Sequence, residues 1–417
     1  MQGVTFMLQK KNEYSIRKLF ETEFERFRIN KSFPSHVLKA VQAIRECRTP
    51  VYGGHMYGCP DEHFSLVLFN SCKKRNCPTC QNAEIEYWNH VQKHRLLNTG
   101  HYHIVFKQPD ILHSEFVYNY SEYANLIFDA ARDTLKKIVP QRLKPGIILQ
   151  LHTHGHNNAV HPHIHCAITD GGMNEHGKYE KFDADILNNE NVLQVYQKLY
   201  LLKLRKRIRD GRILHHNNPV ELSQMILEKG MSVFVSNRYD RGEWLISYLA
   251  RNSRGGSIKD NQIRYVRNGK IGYWYQSSEN KTVNTEMCID TFIQRFLYHI
   301  PPDRYNTIRY CGLYATGSVD DYQEIRKQLN QEPYVKPARG DLFEKDKIEC
   351  PLCNKKLVHQ ESFERNSIPF LLLKKLKFNP LDINSRYWQH PEQMFGLKYQ
   401  WSEYITTPPL RAANHID

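Results

Sequence analysis

The sequence contains the stretch His161-Pro162-His163-Ile164-His165-Cys166-Ala167-Ile168-Thr169-Asp170-Gly171-Gly172. Its apolar residues indicate a buried β-strand, and the paired glycines predict a turn at its end. Side chains alternate between the two faces of a strand, so His163 and His165 are expected to point to the same side. Two neighbouring imidazoles form half of a metal site, although most such pairs are ordinary hydrogen-bonded histidines. The rest of the chain must decide between these interpretations.

A second strand is predicted just before this one, from Gly146 to His152, and a short polar turn joins the two. This connection predicts an antiparallel pair, the start of a sheet. Further histidines crowd the same hairpin, namely His152, His154, His156 and His161. Any of them could be a third metal ligand, a proton relay or part of a polar loop, with His152 and His161 the main candidates for the site.

Composition indicates a folded protein with a negatively charged partner. The 417 residues are 40% hydrophobic and 24% charged, which is typical of two to three globular domains. The formal net charge of +14 favours nucleic acid as a partner, the alternative being a basic enzyme without one. The chain has neither a signal-like N-terminus nor an apolar run of the ~18 residues that a membrane helix needs. We therefore expect a soluble, cytoplasmic bacterial protein with no membrane partner.

Cysteines and histidines are densest between Cys47 and Cys80. The tight turn Cys77-Pro78-Thr79-Cys80 is a zinc knuckle, and Cys59 with His63 forms a second knuckle in which histidine replaces a thiolate. A predicted strand from Phe64 to Phe69 joins them, as in a zinc ribbon. We therefore predict a structural Zn²⁺ held by Cys59, His63, Cys77 and Cys80.

Three potential ligands in this region remain, namely Cys47, His55 and Cys72. Two arrangements are open: these residues complete a second zinc site, or Cys72 replaces His63 in the first. A free buried thiol is the alternative for Cys47. A lone knuckle, Cys350-Pro351-Leu352-Cys353, lies far along the chain. Closing a third metal site there would need His359, another histidine or ligands from elsewhere in the chain.

Candidate DNA-binding cations lie near these motifs. Lys73-Lys74-Arg75 directly precedes the second knuckle, and further arginines lie after a short predicted helix and on a predicted hairpin, namely Arg251, Arg254, Arg264 and Arg267. That helix runs from Glu243 to Arg251 and places Tyr248 one turn from Asn252. The predicted elements indicate an α+β fold with three parts: a helical and zinc-binding module (1–97), a catalytic domain (98–316) and a C-terminal region (317–417).

Several short segments follow one another along the chain, namely Cys47-Arg48-Thr49, Gly53-Gly54-His55, Ser71-Cys72, Cys77-Pro78, Cys80-Gln81, Tyr102-His103-Ile104-Val105-Phe106, His161-Pro162-His163-Ile164-His165-Cys166, Tyr248-Leu249-Ala250-Arg251, Phe292-Ile293, His299-Ile300-Pro301 and Ile308-Arg309-Tyr310. Their order and spacing together are specific. In these segments the sequence resembles the HUH-type rolling-circle transposases, the insertion-sequence group with an N-terminal zinc-binding domain.

The resemblance implies an antiparallel-sheet HUH nuclease core whose strands carry the two histidines, with the tyrosine helix packed nearby. It implies cleavage of single-stranded DNA at the ends of a mobile element, with Tyr248 as the nucleophile. The products would be a covalent 5′-phosphotyrosine and a free 3′-hydroxyl that primes synthesis. His163 and His165 would hold the catalytic divalent ion, for which Mg²⁺ or Mn²⁺ suits phosphate chemistry.

The sequence departs from the family pattern at two positions. Many relatives have a second tyrosine four residues after the first, where this chain has Asn252. A single-tyrosine mechanism is then expected, with a homodimer supplying a second Tyr248, and Asn252 could instead be a third metal ligand, as could His161. Glu62 stands where relatives often have cysteine, and His63 beside it is the expected substitute.

Two other functions fit parts of this pattern. A plasmid or phage replication initiator or relaxase would use the same chemistry on different DNA, and the N-terminal zinc module favours a transposase over it. A non-catalytic zinc-ribbon protein that binds nucleic acid would need no nucleophile, so Tyr248→Phe would leave it unaffected.

Overall fold

A computed structural model describes residues 14–367 apart from 63, 156, 241, 254–256, 278, 280 and 340–347, with side chains left out at 250–253. The helices are α1 (Ile16–Arg28), α2 (Ser35–Glu46), α3 (Gln81–Arg95), α4 (His113–Tyr118), α5 (Tyr120–Ile138), α6 (Asn189–Arg209), α7 (Pro219–Lys229), α8 (Glu243–Ser253), α9 (Ile289–Tyr298) and α10 (Val319–Gln328). The strands are β1 (Gly54–Gly58), β2 (Ser65–Phe69), β3 (His101–Lys107), β4 (Lys144–His154), β5 (Val160–Met173), β6 (Tyr179–Lys181), β7 (Val233–Val235), β8 (Ile263–Arg267), β9 (Lys270–Gln276), β10 (Thr282–Cys288), β11 (Ile308–Gly312) and β12 (Val358–Phe363). None of the helices in these ranges is both long and apolar enough to cross a membrane.

The central sheet has the strand order β11-β4-β5-β3-β7, with β6 beside the end of β5. All of its pairings are antiparallel, which confirms the predicted α+β class. Alternate residues in the central parts of β4 and β5 are apolar and buried. This face of the sheet packs on α5 and α6 through Ile147, Leu149, Leu151, Ile164, Cys166 and Ile168. This burial along both strands is what the sequence around Ile164 predicted.

The opposite face of the sheet packs on α3 and α8. Ile148 of β4 and Ala167 of β5 contact Trp88 of α3 and Leu245 and Leu249 of α8 in one buried cluster. Because side chains repeat every second residue, this face also carries the histidines of β4 and β5. The helix that bears Tyr248 is therefore held against the histidine face.

The glycine pair at the end of the quoted stretch does not form a turn, so that expectation is wrong. Strand β5 continues through Gly171 and Gly172 to Met173. A Cβ atom on Gly171 would lie 2.4 Å from the Glu180 carbonyl oxygen of β6, and one on Gly172 would lie 2.6 Å from the Lys144 carbonyl carbon of β4. Glycine is needed at these two positions because the neighbouring strands approach too closely to leave room for a side chain.

The N-terminal helices pack against the middle of the chain, and the last described strand pairs with the N-terminal module. Helices α1 and α2 form one core with the segment from Ile258 to Ile300, which includes α9. Strand β12 completes a separate three-stranded sheet, ordered β12-β1-β2, with strands from the N-terminal module. The division at residues 97 and 316 remains a prediction, and these contacts tie its three parts together.

Candidate active site and metal centres

Three histidines meet on the α8 side of the sheet. In the β4–β5 register, His152 is directly opposite His163, and His165 is two residues further along β5. One ring nitrogen of each lies within 4.8 Å of those of the other two. The Nε2 atoms of His163 and His165 are 3.0 Å apart. The pair expected on one face is therefore brought together, and His152 rather than His161 joins it.

These imidazoles are held in the neutral form. Burial lowers the pKa of His163 to about 3 and keeps the pKa values of His152 and His165 well below the usual range. The Nδ1 of His163 lies 2.7 Å from the His161 carbonyl oxygen, which only accepts, so Nδ1 carries the proton and Nε2 a lone pair. Three neutral imidazoles with a ring nitrogen of each within 4.8 Å of the others fit a divalent transition-metal cation.

His103 of β3 is a site residue that the sequence reasoning missed. Its Nε2 lies 2.8 Å from His165 Nδ1, and the two rings stack with their planes 8° apart. A histidine that binds a metal usually hydrogen-bonds through its other ring nitrogen, which orients the ring. The sequence does contain a pattern that indicates His103, because His101-Tyr102-His103 alternates on a predicted strand in the same way as His163-Ile164-His165.

Tyr248 lies half-buried against this cluster. Its ring centroid is 5.4 Å from that of His103 and 5.7 Å from that of His165, both edge to face. Burial raises the pKa of the phenol, so the side chain is protonated at neutral pH. Gln150 ties the helix to the cluster, because its Nε2 lies 3.1 Å from the Leu249 carbonyl oxygen and 2.7 Å from His152 Nε2.

Exposed aromatic rings flank the tyrosine. Trp244 stacks on Tyr248 with centroids 5.8 Å apart and planes 13° apart, and its side chain is 58% exposed. Phe234 of β7 contacts His103 edge to face and is 49% exposed. Large apolar rings left in solvent beside a polar cluster provide stacking surfaces for a ligand.

Other proposed ligands of this site are placed differently. His161 forms a separate group of potential metal ligands with Asp110 and His113, and the Asp110 side chain is 85% exposed. His161 still lies beside the site, with its ring 5.3 Å from that of His163. The side chain of Asn252 lies outside the described residues, so its role as a ligand stays a prediction.

Four cysteines form a compact cluster next to α1 and α2, namely Cys47, Cys72, Cys77 and Cys80. Cys47 ends α2, and Cys80 is the N-cap of α3. The Sγ atoms of Cys72 and Cys80 are 3.7 Å apart. Four thiolates around a tetrahedral zinc at 2.3 Å would have sulfurs roughly 3.8 Å apart, so these residues fit a structural zinc ion.

Cys59 does not join Cys77 and Cys80, so the predicted grouping is corrected. Its sulfur clusters with those of Cys350 and Cys353. The reason is the β1–β2 hairpin, because Cys59 follows β1 at the closed end, whereas the four-cysteine cluster lies at the open end. Five paired residues separate the two ends by roughly 17 Å.

The remaining zinc candidates are His63 and His55. His63 lies outside the described residues and stays a predicted ligand. His55 lies on β1, where its Nδ1 is 2.9 Å from the Ser362 hydroxyl of β12, and it belongs to neither cysteine cluster.

The predicted DNA-binding residues fall in two described places. Lys73, Lys74 and Arg75 line a groove that reaches α3, although Lys74 is paired with Asp303 at 3.2 Å. Arg75 also lines a smaller pocket that contains His152. Arg264 and Arg267 are exposed on the β8–β9 hairpin beside Trp274 and Tyr265, respectively. The side chains of Arg251 and Arg254 lie outside the described residues.

A buried histidine near the site makes stability depend on pH. The Nδ1 of His101 lies 2.9 Å from the Thr99 carbonyl oxygen and its Nε2 lies 2.9 Å from the Tyr314 hydroxyl, and burial lowers its pKa to about 4. The unfolded chain takes up this proton near pH 6.5, whereas the folded chain does so near pH 4, so stability falls as the pH drops through that window. From pH 7 to pH 5, His101 alone should cost about 1–2 kcal/mol.

Urea unfolding at the two pH values measures this loss. His101→Gln removes the titrating group and should reduce the pH-dependent loss by the same amount, whatever its effect on stability at pH 7. An unchanged difference between pH 7 and pH 5 in the variant would show that His101 is not the source.

Comparisons with known families define the class of protein as a transposase. Residues 146–321 match a family described as "Putative transposase", and residues 19–107 match a family described as "Transposase zinc-binding domain". The two matches, with the zinc-binding one first in the chain, identify it as a transposase with an N-terminal zinc-binding domain. It therefore acts on DNA, and the predicted structural zinc is confirmed at the level of this domain, which contains the four-cysteine cluster.

Two relatives extend the similarity over most of the chain. It is 29% identical over 66% of its length to a protein of Sinorhizobium fredii named "Putative transposase y4qJ", covering 73% of that protein. It is 26% identical over 77% of its length to "Transposase for insertion sequence element IS801" of Pseudomonas savastanoi pv. phaseolicola, covering 83% of that protein. No solved structure matches the chain significantly.

Proposed function

We propose that this transposase is an HUH-type enzyme that nicks and rejoins single-stranded DNA through a covalent 5′-phosphotyrosine at Tyr248. The observation that carries the proposal is the contact of the Tyr248 ring with His103 and His165, next to three converging imidazoles. Phosphodiester cleavage requires a nucleophile next to a cation, and here the Tyr248 ring directly contacts a histidine of the candidate cation site. The element would then move by a rolling-circle-like route.

The reaction exchanges one phosphodiester for another. The Tyr248 oxygen attacks the scissile phosphorus, the new oxygen–phosphorus bond forms, and the bond to the 3′ oxygen breaks. The phenolic proton passes through water, and the departing 3′ oxygen becomes a hydroxyl. Because the phosphotyrosine has about the same bond energy as the bond it replaces, a second 3′-hydroxyl can reverse the step and rejoin strands without another energy source.

His152, His163 and His165 would hold the divalent ion, which would supply positive charge to neutralise the charge that develops on the phosphate. His103 would orient His165 by accepting a hydrogen bond from its Nδ1, leaving His165 Nε2 as a ligand. Nitrogen donors bind Mn²⁺ more tightly than Mg²⁺, so we expect cleavage to be about tenfold faster with Mn²⁺ at equal, subsaturating concentration. Equal rates with the two ions would count against an all-nitrogen ligand set.

The surroundings of Tyr248 suit an unpaired strand. Trp244 and Phe234 offer exposed rings on which bases can stack, and stacking does not depend on sequence. Lys73 and Arg75 line a groove that can follow the phosphate backbone, with Arg75 also next to the pocket that contains His152. The strand would enter along this groove and reach Tyr248 at the histidine cluster.

Strand transfer at two element ends needs more than one cleavage. With Asn252 one turn after Tyr248, this helix supplies a single tyrosine. A homodimer with one Tyr248 in each chain would supply the second nucleophile. A replication initiator or relaxase would share the chemistry, but the two transposase family matches favour transposition.

The test uses the full chain and single-stranded oligonucleotides tiled across the DNA that flanks its own gene. With Mn²⁺, we expect a covalent adduct that resists denaturing detergent. Mass spectrometry should show Tyr248 joined to the 5′ phosphate of the fragment on the 3′ side of the cut, and the other fragment should end in a free 3′-hydroxyl. A chelator should prevent its formation. Cleavage without an adduct would indicate an ordinary nuclease, and binding without cleavage of any strand would indicate the non-catalytic alternative.

A further inference from the structure

We propose that Cys59, Cys350 and Cys353 hold a second structural zinc ion, which fastens the C-terminal segment to the N-terminal zinc module. The three sulfurs lie within 4.8 Å of one another, and those of Cys59 and Cys353 are 3.4 Å apart although 294 residues separate them in sequence. This spacing is close to that of thiolates on a tetrahedral zinc and far longer than a disulfide bond. The site lies outside the transposase match, and two of its three ligands lie outside the zinc-domain match.

The two turns that supply these thiolates have the same backbone design. Cys59 N–H donates to the Phe64 carbonyl at 2.8 Å, and Cys350 N–H donates to the Lys355 carbonyl at 2.7 Å, each five residues ahead. Each turn also contains a residue in the left-handed region, Glu62 with φ 57° and Asn354 with φ 56°. Two facing knuckles of this kind beside a small antiparallel sheet form a zinc ribbon. The ribbon predicted from the sequence is therefore built with a knuckle from the opposite end of the chain.

Contacts around the thiolates hold the two knuckles in register. Strand β12 pairs with β1, with Val358 opposite Gly58 directly next to Cys59. The Lys355 ammonium lies 2.8 Å from an Asp61 carboxylate oxygen, so the knuckles also share an ion pair. The thiolates thus face each other because strand pairing and charge both place them there.

Within the part of the chain that the structure describes, the apolar cluster around the site is small. Cys59, Cys350 and Leu357 are buried, Tyr57, Phe64, Leu66 and Ile348 are partly buried against them, and most of β12 is exposed. A core of that size supplies too little burial to order a segment, and small modules of this kind usually need a metal or a disulfide. A bound zinc ion would provide the missing stabilisation. The proposal rests on the three thiolates, and His63 remains the predicted fourth ligand.

Zinc content of the purified full chain tests the site. We expect two zinc ions per chain in the wild type and one in the double variant Cys350→Ser/Cys353→Ser. Hydrogen exchange in the double variant should rise in β12 and β1 and remain unchanged in β4 and β5. The matched control is Cys288→Ser, an exposed thiol outside both cysteine clusters, which should keep two zinc ions.

The proposal fails if the wild type binds one zinc ion or if the double variant keeps two. If the double variant does not fold, cobalt-loaded wild type still decides, because titration with a thiol reagent should release two thiolate-bound ions. Release of a single ion would overturn the site. None of these measurements depends on DNA cleavage, so the result is independent of the function proposed for Tyr248.

Discussion

Tyr248→Phe is expected to abolish covalent attachment to single-stranded DNA, lowering its rate by about 10⁴-fold or more. The substitution removes only the phenolic oxygen, the atom that would attack phosphorus. The ring contacts with His103, His165 and Trp244 remain available to phenylalanine, so the fold and the histidine cluster should be preserved. Adduct formation on denaturing gels measures the loss, and filter binding of the same oligonucleotide should be unchanged.

Tyr239→Phe is the matched control. Tyr239 stacks on Trp244 with ring centroids 5.4 Å apart, so its phenol lies in the same aromatic row as that of Tyr248. Its ring contact is with Trp244 and not with His103 or His165, the two histidines that the Tyr248 ring contacts. This variant should keep most of its attachment activity. An adduct that persists in Tyr248→Phe would identify another nucleophile, and loss of DNA binding in that variant would point to a structural role.

The local pattern predicted much of this site. Alternation in the stretch around Ile164 predicted a buried strand, and the spacing of His163 and His165 predicted two rings on one face, which lie 3.0 Å apart at their Nε2 atoms. The helix with Tyr248 was predicted from Glu243 to Arg251 and spans Glu243–Ser253. These features depend on residues close in sequence, where the periodicities of strand and helix determine which side chains share a face.

Features that depend on pairing between distant segments could not be predicted in the same way. His152 joins His163 because of one particular register of β4 on β5, and a shift by one residue would send it to the opposite face. His103 reaches His165 only because β3 is the other neighbour of β5. Cys59 and Cys353 are 294 residues apart in sequence and are brought together by the pairing of β1 with β12. The spacing of cysteines within each knuckle does not predict that pairing.

The length of the β1–β2 hairpin, however, did contain usable information. Cys59 is at its closed end, whereas Cys47 and Cys77 are at its open end, so a single zinc ion could not bind all three. The predicted strand from Phe64 to Phe69 already implied this separation, since a strand of that length extends well beyond the span of one zinc site.

The third ligand of the proposed catalytic ion can be decided by a pair of variants, His152→Ala and His161→Ala. His152 is 5% exposed and has a ring nitrogen in the cluster, so its loss should raise the Mn²⁺ concentration needed for half-maximal attachment by at least about 100-fold. His161 contributes its backbone carbonyl to His163, and alanine keeps that group. Its variant should remain within about threefold of the wild type, as expected for a side chain outside the ligand set.

The dependence on Mn²⁺ separates ligand loss from damage to the fold. A missing ligand weakens ion binding, so attachment by His152→Ala should recover at high Mn²⁺, whereas a misfolded protein should not recover. Gln150→Ala is the informative companion, because it removes the amide next to His152 Nε2 and near the Leu249 carbonyl without removing a metal ligand. It should slow attachment at saturating Mn²⁺ by loosening α8. If His161→Ala requires more Mn²⁺ than His152→Ala does, the ligand assignment is reversed, and the cation lies on the Asp110 side of His163.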